Sequence, residues 1–73
     1  MAIDFGQLLT TEQKRAILEA RIASFANEGY QHTLNKAAAT SEEQIANADE
    51  AIEIISAAIE AHQAELDSLP AEG

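Results

Sequence analysis

The residues Ile45, Ala48, Ile52, Ile55, Ile59, His62, Leu66 and Leu69 stand alternately three and four positions apart. Such spacing lines one edge of an α-helix with side chains that only a partner helix can cover. His62 is the single member of this seam that is not apolar. Glu53, Glu60 and Asp67 fall seven apart on a different line, away from the seam. Ile54, Ala57, Ala58 and Ala61 widen the apolar surface beyond what one partner helix would cover, and alanine there lets backbones approach closely.

Start and stop signals bound the elements. Thr40 with Glu43 three residues on reads as a capping box, and Glu42 and Glu43 suit the positive end of a helix dipole. The second helix is expected over about 41–68, because Pro70 cannot continue it and the tail 70–73 is unpatterned. Thr10 and Gln13 form another capping box, which places the first helix at about 11–36. Leu18, Ile22, Phe25/Ala26, Gly29/Tyr30 and Leu34 recur along it at the helical period. Residues 1–9 form an apolar leader with Ile3, Phe5, Leu8 and Leu9, interrupted by Gly6, and are expected as an arm or short turn. A turn at about 36–40, closed by Asn35 in the left-handed conformation, makes the chain an all-α, antiparallel, coiled-coil-like hairpin over 10–69. The alternative is one unbroken helix through Ala37, Ala38 and Ala39, since alanine has the highest helix propensity.

Folding back symmetrically about that turn brings Phe25 to the Ile52/Ile55 layer, Ile22 to Ile55 and Ile59, Leu18 to Ile59, Gly29 to Ala48 and Leu34 to Ile45. The same register places Arg21 near Glu53, Glu60 or the Ala57 turn, Lys14 and Arg15 near Glu60 and Asp67, and Lys36 near Glu42 or Glu43. Basic residues of the first helix then partly neutralise the acidic second one.

Size bears directly on assembly. Of 73 residues, 34 are apolar, but 16 of these are alanine and only 18 are large. A two-helix unit of this composition cannot cover its own seam well enough to offset the entropy of ordering the chain. A homo-oligomer is therefore expected, its interface drawing on Ile45, Ile52, Ile54, Ile55, Ala57, Ala58, Ile59 and Ala61 together with the leader. A four-helix bundle of two hairpins is the simplest closed form. Trimers and hexamers are also open to an Ile-rich seam.

The net charge of −9 is unevenly placed: residues 1–39 carry four acids and four bases, while residues 40–73 carry nine acids and neither Lys nor Arg. Long nucleic acid and anionic membrane surfaces are disfavoured as partners, because both bind through cations. A protein with a basic surface would be attracted to the line Glu53, Glu60 and Asp67. The same residues also serve as a solvated face that keeps a small chain dispersed.

The sequence offers little for chemistry. Without Cys there is neither a disulfide nor a thiolate metal site. The residues three before His32 and His62 are Gly29 and Ile59, so the Glu-x-x-His pairs of di-iron bundles are absent. Glu28 with His32, or His62 with Glu65, supplies two ligands where a metal needs three or four. Three glycines build no phosphate loop, and no serine sits suggestively beside a histidine, so neither a cofactor nor catalysis is expected. Tyr30 with Arg15, Arg21 and Lys36 could stack a base and pair a phosphate at a subunit interface, or simply present a half-buried ring to solvent.

The segment from Leu8 to Asn35, LLTTEQKRAILEARIASFANEGYQHTLN, resembles in style the short accessory proteins encoded in phage and prophage genomes. That resemblance implies a protein of the host-cell cytoplasm and carries no site residues across. The hairpin also resembles plasmid copy-control bundles that bind RNA, but the second helix lacks the basic face that role needs. No apolar run is long enough to span a bilayer and the amino terminus has no basic flank, which again points to the cytoplasm. Three functions are compatible with these features. The first is a non-enzymatic interaction module that inhibits or modulates a host defence or replication protein. The second is a sponge for small or cyclic nucleotides, and the third a component of a larger particle docked by its leader.

Overall fold

Thr10 opens the first long helix by exchange. Its Oγ1 accepts from the Gln13 N–H at 3.1 Å, and Gln13 Oε1 accepts from the Thr10 N–H at 2.9 Å. In the computed structural model of the chain, which describes residues 3–70, three helices occur in chain order: α1 (Phe5–Leu8), α2 (Thr11–Ala37) and α3 (Glu42–Ser68). The leader contributes a single helical turn, held by Asp4, whose carboxylate accepts from the Gly6 N–H at 3.0 Å. Met1, Ala2 and residues 71–73 of the expected tail lie outside the described residues.

Helix α2 stops without a left-handed residue, since no described residue has a positive φ. Asn35 therefore does not close it and stays inside the helix. Ala38 does, at φ −92° and ψ 0°, its N–H donating to Leu34 O at 3.0 Å, while Ala39 N–H donates to Lys36 O at 3.2 Å. Tightening the last turn in this way satisfies helix-end carbonyls without glycine. The break over Ala38–Ser41 rules out the unbroken helix.

The second cap falls one residue later than the Thr40/Glu43 pairing. Ser41 is the cap, its Oγ accepting from the Gln44 N–H at 3.2 Å, and Gln44 Oε1 accepts from the Thr40 N–H at 2.8 Å. Gln44 thus reaches past the cap to the residue before it. Glu42 and Glu43 both remain in the first turn, where the helix dipole favours them. At the far end Leu69 leaves the helix at φ −68° and ψ 140°, as a residue before proline must.

Helices α2 and α3 pack antiparallel as a hairpin. The half-buried positions of α2 include Leu18, Ile22, Phe25, Gly29 and His32, and those of α3 include Ile52, Ile55, Ile59, His62 and Leu66. The stripe on α2 keeps its alternating spacing through His32 and so leaves Leu34 off the seam. Leu34 is 50% exposed, Tyr30 64% and Ile45 38%. Among the described residues only Ala48 is buried.

The register differs from symmetric folding by roughly one to two helical turns. Gly29 faces Ile55 rather than Ala48: a Cβ added to Gly29 would stand 3.5 Å from Ile55 Cγ2. Lys36 pairs with Asp49 at 2.7 Å, not with Glu42 or Glu43, and Arg21 meets His62 rather than Glu53 or Glu60. Direction explains part of this. Side chains lean toward the amino end of their own helix. On α2 that is away from the turn and on α3 toward it, so meeting partners lie further along α3 than a mid-plane count gives. Size explains the rest at Gly29, where the missing side chain makes room for an isoleucine methyl.

Candidate interaction surface

A 27-residue helix is about 40 Å long, and the chain measures 50 × 32 × 14 Å along its principal axes, with α2 and α3 side by side in one layer. Its two broad sides are marked by different contacts. One carries the pairing of Arg21 with His62, the other that of Lys36 with Asp49.

On the first side, His62 Nδ1 lies 2.7 Å from Ala58 O. A carbonyl only accepts, so Nδ1 carries the proton and Nε2 keeps a lone pair, which accepts from the Arg21 Nε–H at 2.9 Å. The Phe25 ring stands edge-on to the imidazole, with centroids 5.1 Å apart and planes at 67°. The Arg21 guanidinium carbon lies 5.6 Å from the Phe25 centroid, within cation–π range. The lone polar member of the seam is thus fully bonded through both ring nitrogens. Cross-helix register creates this cluster, and from the sequence only the 3–4 spacing of His62 hinted at it.

Further toward the open end, a groove of about 220 Å³ runs between α1, α2 and α3, lined by Gly6, Leu9, Ile17, Leu18 and Leu69 with Lys14 and Glu65 at its margin. Near the turn, an open cleft of about 440 Å³ is lined by His32, Asn35, Gln44 and Asn47 beside Ala38 and Ala48. Neither feature stood out in the sequence, because each is made by residues brought from both helices.

Of the residues expected at an oligomer interface, Ile52, Ile55, Ala58 and Ile59 are half-buried within the hairpin. Ile54 at 63% exposure, Ala57, Ala61 and Ile45 face outward. The acidic line Glu53, Glu60 and Asp67 is exposed throughout, with the Asp67 carboxylate accepting from Gln63 Nε2 at 3.0 Å. Arg15, Arg21, Tyr30 and Lys36 do not converge within one chain: Arg15 and Lys36 are about 31 Å apart along α2. Arg21 is engaged by His62 and Lys36 by Asp49.

Among the described residues no three His, Asp or Glu side chains gather to hold a metal ion, and no helix is long and apolar enough to cross a membrane. No protein-family model, curated protein or solved structure matches the chain.

Proposed function

We propose that this chain is a non-enzymatic acidic helical oligomer that works as a protein-interaction module, its Glu53, Glu60 and Asp67 line receiving a basic protein surface. One observation carries the reading: the hairpin leaves almost nothing buried, while the exposed Ile54 and the Glu53, Glu60 and Asp67 carboxylates stand on separate outer lines of α3. A surface of that kind fits macromolecular contact better than small-molecule chemistry, which calls for an enclosed pocket. Under the phage resemblance, the partner is a host defence or replication protein, and the carboxylate line stands in for nucleic-acid phosphates.

Replacing Glu53, Glu60 and Asp67 together by Lys tests the reading. Circular dichroism should report unchanged helix content, because all three are exposed, while binding to a basic protein partner should be lost. Unchanged affinity refutes the carboxylate line as the contact. A shift in melting temperature on adding cyclic or mononucleotides would instead favour the sponge.

A further inference from the structure

Two whole-chain quantities show that the hairpin exposes more surface than a compact chain would. The chain exposes 5640 Å², about 1,300 Å² more than a compact protein of its mass would expose. Its radius of gyration is 16.3 Å where about 11 Å is expected for a compact chain of this length. A stable protein interface removes about 800 Å² from each partner. Covering one broad side of the hairpin therefore accounts for most of the excess.

The side in question is the one marked by Arg21 and His62. Ile17, 46% exposed, lies there beside Glu65 and Leu69. One helical turn back from His62, Ala58 is half-buried; Ala51 and Ile54 continue the same flank, and Ile54 is 63% exposed. Between Glu50 and Glu65 this flank of α3 carries no charged residue, its members being Ala51, Ile54, Ala58 and Ala61. The charges at the margin are of both signs, Lys14 and Arg21 on α2 with Glu28 and Glu65. The opposite flank carries Asp49, Glu53, Glu60 and Asp67.

We infer that the Ile17–Ala51–Ile54–Ala58 side is the face on which a second copy of this chain packs, leaving the acidic flank outermost. The inference rests on the oligomeric reading above and adds the face to it. A second copy fits for electrostatic reasons. Pairing through the acidic flank would set like charges against each other, whereas this side is alanine-rich, close-packing and bordered by both signs. At the open end Gly6 and Leu9 of the leader line the groove beside Ile17, and Phe5 and Leu8 of α1 add exposed apolar surface at 69% and 68%.

Thiol protection tests the face directly, because the chain has no cysteine of its own. Single variants Ile54→Cys, Ala61→Cys, Glu53→Cys and Glu60→Cys, all at positions exposed in the single hairpin, are labelled with a maleimide at micromolar chain concentration, alongside sedimentation equilibrium. Labelling of I54C and A61C should be about tenfold slower than that of E53C and E60C, and the difference should vanish on dilution to monomer. A helical species sedimenting at 7.8 kDa overturns both the oligomer and the face. An oligomer in which E53C and E60C are the protected pair overturns the face alone. Ile54→Glu should lower the sedimenting mass, and an I54E oligomer as large as the parent also counts against the face.

Discussion

The Nε–H of Arg21 donates to Nε2 of His62 across forty-one positions of sequence, at 2.9 Å, and binds the middle of α2 to the last third of α3. With Nδ1–H given to Ala58 O, the imidazole is neutral and held in the Nδ1–H tautomer. Long-range ¹H–¹⁵N correlation spectra should show His62 Nδ1 protonated and Nε2 as the bare nitrogen. The reverse assignment would mean that the Arg21 contact does not form in solution.

Removing that contact has a modest cost. Arg21→Ala deletes one hydrogen bond and the guanidinium over Phe25, so unfolding at fixed chain concentration should be easier by about 0.5–1.5 kcal/mol. Lys36→Ala should cost less, about 0–1 kcal/mol, because the Lys36–Asp49 pair is half exposed on both sides. Urea titrations ranking K36A as the more damaging change would contradict the geometry.

Gly29 is a stabilisation site. Its φ is not positive, and a Cβ there meets Ile55 Cγ2 at an ordinary 3.5 Å. Gly29→Ala therefore gains helix propensity without a clash and should stabilise by about 0.5–1 kcal/mol. Gly29→Leu should wedge the helices apart. A lower melting temperature for G29A would show that the interhelical approach is closer than 3.5 Å allows.

The second cap separates two neighbouring hydroxyls. Ser41→Ala removes the acceptor for the Gln44 N–H and should cost about 1 kcal/mol. Thr40→Ala leaves the Thr40 N–H bonded to Gln44 Oε1 and should stay within about 0.5 kcal/mol of the parent. Equal losses in thermal melts would return the cap to Thr40.

Ala48 is the one buried position among the described residues, packed on the seam with the open cleft near the turn at its edge. It is 5% exposed on the seam, so Ala48→Leu should destabilise by about 1–3 kcal/mol through overpacking. The same change at Ala57, which is exposed on the outer side of α3, gives the control. Comparable effects at the two positions would mean that Ala57 is covered as well.

The two long helices, the Thr10/Gln13 box and the stop before Pro70 were legible without coordinates, because caps, breakers and 3–4 spacing act over a few residues. The acidic line was legible for the same reason, being one helix read every seventh residue. Which residue of α2 meets which residue of α3 was not. Gly29 against Ile55, Arg21 against His62 and Lys36 against Asp49 depend on how α2 ends at Ala38 and on the opposed lean of side chains in antiparallel helices. Those are relations between distant segments, and local pattern does not encode them. The single-layer thickness, which leaves Ile54 and the acidic flank both outside, likewise appears only once the two helices lie side by side.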